Sequence, residues 1–314
     1  MIKRSFSKPF TLALTLGVLS APLWLGWAKT VFHVDVGVVV VSFTVRDNHG
    51  GYVTGLKPSQ IRVREDGVDQ HIQNFMEAGS SADAEALTES QPLIGSSVFI
   101  LFDTSNCMYD GFARAEDGIE NFIRHLSPDQ AVAVYSFSHN MSRLTRLTTD
   151  HEEAIRGLRS AVAGDSTALL NATLLTLRDA AEVPGRKVVV VFSNGPDDTS
   201  IVNPSDVARV AEDEGIPIFV IATKGNDSAS QSAFNMLTDT SGGRLFLAPQ
   251  KAAQLEAFNA IGQDLNHTYT LTYRPALSDN EGWRHIEVQV LGDAAKDCKI
   301  SARTGYRPNR HNAD

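Results

Sequence analysis

The chain contains few cysteines and little clustered positive charge. Only Cys107 and Cys298 occur among 314 residues, and they lie far apart in the sequence, so no disulfide framework defines a fold. We expect two buried or half-buried thiols, although an exported protein could pair them. The formal net charge is -9, and no cluster of Lys and Arg lies beyond the N-terminus. Because a nucleic-acid partner requires a basic face, the sequence argues against nucleic-acid binding.

The motifs of the common α/β enzymes are also missing. There is no Gly-x-Ser-x-Gly elbow for a nucleophilic serine. Neither a Gly-x-x-x-x-Gly-Lys loop nor a Gly-x-Gly-x-x-Gly turn follows the first apolar strand, and His151 lacks the second histidine of a zinc motif. The sequence therefore predicts a non-enzymatic protein. The alternative is an enzyme whose site carries no recognisable motif, since a fold does not fix a function.

The first 28 residues have the pattern of an export signal. Three basic residues precede the uncharged apolar stretch Phe10 to Trp27, and Ala28 stands where a signal peptidase would cleave. We predict that residues 1–28 are removed and that the protein is exported, to the periplasm or outside the cell. The alternative is an uncleaved membrane anchor, because the stretch is close to the shortest bilayer span, although Pro22 weakens it as a helix.

Hydrophobic periodicity divides the remaining chain into three regions. Residues 34–78 and 267–308 alternate apolar and polar positions, as half-buried strands do. Residues 97–266 alternate short apolar runs with amphipathic helical patterns, and the aperiodic segment 79–96 is predicted to be a linker. Strand–helix alternation predicts an α/β domain with a doubly wound, mostly parallel sheet. Because a hairpin with one extra strand is marginal alone, we predict that the terminal strands pair into a small β-sandwich around this inserted domain.

Individual elements can be placed within these regions. In the first, Asp66-Gly67 predicts a tight hairpin turn, and Val68 to Phe75 predicts the returning strand. Near-continuous apolar runs in the middle region predict buried strands at Val98–Phe102, Ala131–Phe137, Lys187–Phe192, Ile216–Ile221 and Arg244–Leu247. Apolar residues at helical spacing predict helices around Ile119–Leu126, Ala154–Val162, Ala168–Glu182 and Ser205–Glu214, the last with Asn203 as its N-cap.

Three polar segments are expected at one edge of the predicted sheet. In a doubly wound sheet, ligands bind beyond the carboxyl ends of the strands. Side-chain oxygens gathered there would suit Mg²⁺, which takes six oxygen ligands and usually keeps some water. The segments are Asp103 to Cys107, Asp165 to Thr167 and Ser193 to Gly195.

In order and spacing, these segments resemble the metal-ion-dependent adhesion site of von Willebrand factor type A (VWFA) domains. That site combines an Asp-x-Ser-x-Ser motif, a distant Thr and a later Asp ahead of Gly. The sequence around Asp103 is similar to the first element, that around Thr167 to the second, and Val190 to Gly195 to the third. The flanking Glu65-Asp66-Gly67, Tyr269 to Pro275 and Gly305-Tyr306 resemble bacterial, often acidobacterial, exported VWFA-related proteins.

Two positions depart from the family pattern. Cys107 stands where the second serine is expected, and Asn194 where the later aspartate is expected. A thiol is a soft donor that Mg²⁺ does not favour, and an amide brings no charge. The resemblance implies a degenerate metal site with Asp103, Ser105, Thr167 and Asn194 as candidate ligands, and metal dependence that is weakened or lost. Three nearby carboxylates could compensate, namely Asp165, Asp197 and Asp198.

Each candidate ligand also has a purely local alternative role. Asp103 and Ser105 could cap the turn that follows the first strand, and Thr167 could be the N-cap of the next helix. Asn194-Gly195 is a common turn pair. The bond partners of these side chains distinguish the two sets of roles.

The resemblance implies an exported, non-enzymatic protein that binds an unidentified protein ligand through the edge of its VWFA domain. The alternative non-enzymatic function is a structural scaffold of the cell envelope, held by an uncleaved N-terminal segment. In either case, a membrane would be contacted only through that segment.

Overall fold

The computed structural model describes residues 37–78, 96–224, 228–276, 280, 282–292 and 298–308. The predicted signal or anchor, residues 1–28, lies outside the described residues, as does the predicted linker except for Ser96. Within the described ranges, no helix has the length and apolar character needed to cross a bilayer.

The described residues form strands and helices in the predicted order of β, then α/β, then β. The strands of the first region are β1 (Val39–Arg46), β2 (Ile61–Glu65), β3 (Val68–Asp69) and β4 (Ile72–Glu77). The middle region contains β5 (Ser96–Asp103), α1 (Phe112–His125), β6 (Ala131–Phe137), β7 (Met141–Thr148), α2 (His151–Leu158), α3 (Leu169–Ala181), β8 (Arg186–Ser193), α4 (Pro204–Asp213), β9 (Ile218–Ala222), α5 (Ser228–Ser241), β10 (Arg244–Leu247) and α6 (Lys251–Asn266). The last region contains β11 (Tyr269–Tyr273), β12 (Arg284–Val290), β13 (Lys299–Ala302) and β14 (Gly305–Tyr306).

The middle region forms a six-stranded sheet in the order β10-β9-β8-β5-β6-β7. All neighbouring strands are parallel except β6 and β7. Helices α1, α2 and α6 bury their apolar side chains against one face, and α3, α4 and α5 against the other. Because both faces are covered, the central strands are apolar at nearly every position. The predicted α/β class and doubly wound sheet are confirmed.

The terminal regions pair into two antiparallel sheets, in the orders β13-β1-β11-β4 and β14-β12-β2-β3. Each sheet combines strands from both ends of the chain: Val41 lies opposite Leu271 in one, and Val63 opposite Val288 in the other. Alternate side chains of the two sheets share one apolar core. The predicted β-sandwich around an inserted α/β domain is thus confirmed.

The predicted hairpin turn is present, but the predicted returning strand is divided between two sheets. Asp66 and Gly67 have φ angles of 48° and 81°, as the predicted two-residue turn requires. The returning strand is not continuous, however. Strand β3 pairs with β2 in one sheet, whereas β4 pairs with β11 in the other. The chain thus passes from one sheet to the other, and in the second sheet Phe75 stacks on Tyr269.

Two further local predictions need correction, and three elements of the middle region, β7, α5 and α6, were not predicted individually. Helix α2 ends at Leu158, and Val162, which we placed on its apolar face, is 79% exposed in the following loop. Asn203 occupies the predicted N-cap position of α4, before Pro204 at the first helical residue, but its side chain makes no capping hydrogen bond. The antiparallel edge strand β7 was not predicted, since its sequence, Met141 to Thr148, is half-exposed and rich in Arg and Thr.

A buried carboxylate joins the sandwich to the central sheet. Asp264, near the end of α6, is 2% exposed and forms ion pairs with Arg46 of β1 and with Arg244 of β10. The Tyr52 hydroxyl donates to the same carboxylate at 2.6 Å. At Gly242, an added Cβ would lie 2.8 Å from the carbonyl carbon of Ala302. Glycine therefore permits the close approach of the β-sandwich and the α/β domain, which we call the two lobes.

Candidate functional site

The carboxyl ends of β5 and β8 lie side by side and place Asp103 and Ser193 at one edge of the central sheet. The two strands are parallel neighbours, and Phe102 lies opposite Phe192 in the ladder. The next residues of both strands, Asp103 and Ser193, are completely buried. We call this edge, with Asp103, Ser105, Cys107, Thr167, Ser193 and Asn194, the rim.

Asp103 is the buried carboxylate of the rim. Its Oδ2 accepts a hydrogen bond from the Ser193 hydroxyl at 2.6 Å, and its Oδ1 accepts one from the backbone N–H of Ser105 at 2.9 Å. Burial raises the pKa of Asp103 above its usual range, although these hydrogen bonds oppose the rise. Ser193 was not among our candidate ligands, because only the tertiary fold shows that its hydroxyl meets this carboxylate.

Backbone hydrogen bonds tie the Thr167 loop to the loops after β5 and β8. The N–H of Asn106 donates to the carbonyl of Asp165 at 2.8 Å. The N–H groups of Asp198 and Thr199 both donate to the carbonyl of Thr167 at 3.0 Å. The three sequence-predicted segments therefore meet at the rim.

Three buried side-chain oxygens of the rim have no hydrogen-bond partner among the described residues. They are Ser105 Oγ, Thr167 Oγ1 and Asn194 Oδ1. Each belongs to a side chain that is at most 3% exposed. Because an unsatisfied buried oxygen costs about 1–3 kcal/mol, such groups normally contact a water, an ion or a ligand. These oxygens indicate a binding position beside Asp103.

The donor atoms of the rim suit a hard cation, but the rim carries little negative charge to bind one. Two hydroxyls, an amide oxygen and a carboxylate are all oxygen donors of the kind Mg²⁺ takes. Asp103 is their only carboxylate, and burial already disfavours its charged form. Among the described residues, no group of three or more His, Cys, Asp and Glu side chains is placed to hold a metal. An Mg²⁺ ion would therefore be held mainly by neutral oxygens.

The acidic residues that could have compensated have other positions. Asp197 lies at the start of α3, where its two oxygens accept hydrogen bonds from the N–H groups of Leu170 and Ser200 at 2.7 and 2.9 Å. Asp165 and Asp198 have exposed side chains. Asp197 thus caps α3, and the N-cap role that we considered for Thr167 is wrong: the N-cap position belongs to Ala168.

The two residues that depart from the family pattern contact each other. Asn194 Nδ2 donates to the carbonyl of Cys107 at 2.6 Å, and Cys107 is a half-buried free thiol. An aspartate at position 194 would put a carboxylate oxygen against that carbonyl, which would be repulsive without a cation between the loops. The amide instead supplies a donor and joins the loops directly.

Large apolar side chains are exposed on the loops at the same edge. Tyr109 is 55% exposed, Val162 79% and Ile201 90%. The Tyr109 hydroxyl donates to the carbonyl of Gly164 at 3.2 Å, which places this ring against the Val162 loop. Sequence analysis missed these residues, although a lone isoleucine after Asp-Asp-Thr-Ser is a detectable signal.

The described residues thus form an α/β domain in which buried side-chain oxygens lie at the carboxyl edge of a mostly parallel sheet. The family model for the von Willebrand factor type A domain matches residues 97–261, more than half of the chain. The protein therefore belongs to the von Willebrand factor type A domain family. Domains of this family typically mediate protein interaction and are generally not enzymes.

Several solved structures are similar to the chain. An aerotolerance-related membrane protein from Bacteroides fragilis is 19% identical, with 55% of this chain and 99% of that chain covered and a TM-score of 0.46. BatB from Bacteroides thetaiotaomicron is 18% identical, with 55% and 97% covered and a TM-score of 0.45. The vWF domain of the pilus tip protein Mfa5 from Porphyromonas gingivalis is 13% identical, with 55% and 96% covered and a TM-score of 0.49. No curated protein matches the chain.

Proposed function

We propose that this protein is an exported, non-enzymatic binding protein that recognises a protein ligand at the rim, with little dependence on a metal ion. Family membership supports a role in protein interaction. The observation that carries the proposal is the set of three buried oxygens, at Ser105, Thr167 and Asn194, that have no partner within the described ranges. They leave hydrogen-bonding capacity that a ligand can satisfy.

The exposed apolar residues of the rim loops support a protein ligand over a small molecule. Exposed apolar side chains grouped on neighbouring loops are a feature of protein-binding surfaces. Tyr109, Val162 and Ile201 would pack against the ligand, while the buried oxygens would fix its orientation. Tyrosine is also enriched among the residues that dominate binding energy.

Two features support weakened metal dependence. Asp103 is the single carboxylate among the candidate ligands and its pKa is raised by burial. The hydrogen bond from Asn194 to the Cys107 carbonyl joins the loops without a cation. If a metal binds, Asp103, Ser105, Thr167 and Asn194 would hold it, and it would supply positive charge for a ligand carboxylate.

A thermal unfolding experiment tests the metal dependence. We expect millimolar Mg²⁺ or Mn²⁺ to change the melting temperature of the wild type little, because ligand stabilisation depends on affinity. The double variant Cys107→Ser, Asn194→Asp should gain a cation-dependent rise. A large wild-type shift that Asp103→Ala abolishes would show that the rim is a working metal site after all.

A pull-down tests the ligand class. The wild type should retain a set of envelope proteins that the double variant Val162→Asp, Ile201→Asp loses and that the control Met236→Asp keeps. Met236 is a comparably apolar exposed residue, on α5. Equal retention by all three proteins would argue against the rim as the ligand surface.

Export is part of the proposal and needs its own test. N-terminal sequencing of the protein recovered from the producing cells should find a chain that begins after Ala28. An intact N-terminus in the membrane fraction would favour the anchored scaffold instead.

A further inference from the structure

The rim atoms that lack partners among the described residues are oxygens. The Nδ2 of Asn194 already donates to the carbonyl of Cys107, so the other end of this side chain, Oδ1, can only accept. Asp103 adds a buried carboxylate, which also accepts hydrogen bonds when it is ionised. The hydroxyls of Ser105 and Thr167 can accept as well as donate. A ligand group that satisfies Asn194 Oδ1 must therefore carry a hydrogen-bond donor.

These oxygens lie near the Asp103 carboxylate. Burial raises the pKa of Asp103, and the nearby Ser105 hydroxyl and the backbone N–H of Asn194 are among the groups that oppose the rise. Backbone hydrogen bonds join the Thr167 loop to the loops that carry Ser105 and Asn194. The tertiary fold thus gathers acceptors from three loops near one carboxylate.

The charge of the rim suits a monovalent cation. Asp103 contributes no more than one negative charge, and a divalent ion beside it would leave positive charge uncompensated in a buried place. One ammonium group would instead neutralise the carboxylate. Farther out, Asp165 and Asp198 are exposed on the rim loops, against the exposed Lys224 after β9. The positive end of α3 is already capped by Asp197.

The exposed apolar residues of the rim loops suit the stem of a lysine side chain. A lysine carries its ammonium on an apolar four-carbon stem, which packs on apolar surface while the charged end reaches acceptors. Tyr109 and Val162 supply such surface. The ammonium is compact and has three donors, whereas the guanidinium of arginine is a broad planar fork and an ionised carboxylate has no donor. A lysine therefore matches both the apolar and the polar part of the rim.

We propose that the protein ligand inserts a lysine side chain at the rim, where the ammonium donates hydrogen bonds to the Asp103 carboxylate and to the three unpartnered oxygens. This inference rests on the proposed function, since it names the group of the ligand that the rim recognises. The ammonium takes the position that the family resemblance assigns to a metal ion, so the ligand itself supplies the positive charge. Because the ammonium loses its water on binding, a full set of acceptors is needed to offset that loss.

Fluorescence anisotropy with four synthetic peptides tests the proposal on the full chain. Each probe is a rhodamine-labelled hexapeptide, Ser-Leu-X-Leu-Ser-Gly, with blocked ends, in which X is Lys, Nε-acetyl-Lys, Arg or Glu. Binding is measured in EDTA, so that no divalent ion contributes. We expect the Lys probe to bind most tightly. The acetyl-Lys and Glu probes should bind about tenfold more weakly or worse, because acetylation removes the charge and a carboxylate would face acceptors.

Matched variants separate insertion of the ammonium from general attraction of a cation. Asp103→Asn removes the buried carboxylate and should weaken binding of the Lys probe about tenfold or more. It should fold, because a buried position favours a neutral side chain. Thr167→Val removes one acceptor at similar volume and should also weaken binding. The control Asp198→Asn removes an exposed carboxylate of the same edge and should change binding about twofold or less, since exposed charges are screened.

Four results would overturn the proposal. They are no binding of the Lys probe at millimolar protein, equal binding of the Lys and acetyl-Lys probes, equal binding of the Lys probe by Asp103→Asn and the wild type, and tighter binding of the Glu probe than of the Lys probe when Mg²⁺ replaces EDTA. The last result would show that a metal ion recognises a ligand carboxylate at the rim.

An acetylated extract distinguishes failure of this inference from failure of the proposed function. Acetic anhydride acetylates the lysines of the envelope proteins before the pull-down. If the wild type still retains the same proteins and Val162→Asp, Ile201→Asp loses them, the lysine is wrong and the rim remains the protein-binding surface. If the wild type and this double variant retain the untreated proteins equally, the proposed function itself is wrong.

Discussion

Two buried carboxylates, one in each lobe, have very different surroundings. In the sandwich, Glu65 Oε1 accepts from Arg284 at 3.0 Å, and Oε2 accepts from the hydroxyls of Tyr273 and Tyr306 at 2.7 and 2.9 Å. At the rim, Asp103 lies near three buried oxygens that lack partners in the part of the chain that the structure describes.

The difference distinguishes a structural polar cluster from the binding position that we propose. Glu65 and Arg284 are both almost fully buried, so their charges must be satisfied within the protein. The cluster joins β2, β11, β12 and β14, and burial raises the pKa of Tyr273, which keeps this hydroxyl protonated as a donor. The flanking motifs Glu65-Asp66-Gly67 and Gly305-Tyr306 thus contain members of one internal network. Arg284 Nη2 also has no partner among the described residues, but the rim leaves three acceptor oxygens unpartnered there.

The largest expected effect on stability is at Glu65, the buried carboxylate of the sandwich cluster. Glu65→Gln would leave the guanidinium of Arg284 buried without a counter-charge, and we expect a loss of about 3 kcal/mol or more in the free energy of unfolding. Urea denaturation measures it. The control Asp69→Asn, in an exposed ion pair with Arg64, should have a much smaller effect. Equal losses would show that the cluster does not differ from a surface ion pair.

The second effect concerns the contact that joins the rim loops. Asn194→Asp removes the hydrogen bond to the Cys107 carbonyl and adds a carboxylate beside it, so stability without divalent ions should fall by about 1–2 kcal/mol. Chemical denaturation in EDTA measures this loss. Added Mg²⁺ should recover part of it, since a cation binds the folded state selectively. A variant as stable as the wild type in EDTA would mean that the Asn194 contact contributes nothing.

The third effect is the pH dependence of Asp103. Because its pKa is raised in the folded protein, this group favours folding at low pH and loses that contribution as pH rises through the folded pKa. Asp103→Asn should therefore be more stable than the wild type at pH 7, by about 1 kcal/mol, and less distinct from it near pH 4. Thermal unfolding at both values checks the sign. A greater relative loss at pH 7 would mean that the ionised carboxylate stabilises the fold.

The smallest effect on stability is expected at the exposed apolar residues. Val162→Asp and Ile201→Asp should each change the free energy of unfolding by no more than about 0.5 kcal/mol, because surface side chains have few contacts to lose. Circular dichroism melts of the single variants would show this. A large loss would assign these residues to packing and weaken their interpretation as ligand contacts.

The sequence predicted much of the fold because burial imposes a clear pattern. The five parallel strands of the central sheet were predicted within about two residues, since helices on both faces require apolar runs. Strand β7 is an edge strand with one exposed face, so its composition is not distinctive. Val162 fits a helical spacing by coincidence, and the helix had already ended.

The candidate ligands illustrate the same limit at the site. The position of Asp103 and Asn194 at the ends of β5 and β8 follows from the order of strands. The order of strands does not show which of their atoms already take part in hydrogen bonds. Asp197 was close enough in the sequence to compensate for the missing charge, but its spacing did not direct it to the site, and only the folded chain shows that it caps α3.

By itself, the sequence determined the class of fold, the insertion of the α/β domain between two sets of terminal strands, and the replacement of two family residues by Cys107 and Asn194. These features depend on periodicity and residue identity, which are local. The tertiary structure alone decided which buried oxygens are satisfied. This property depends on contacts between residues far apart in the chain, and the sequence pattern does not record such contacts.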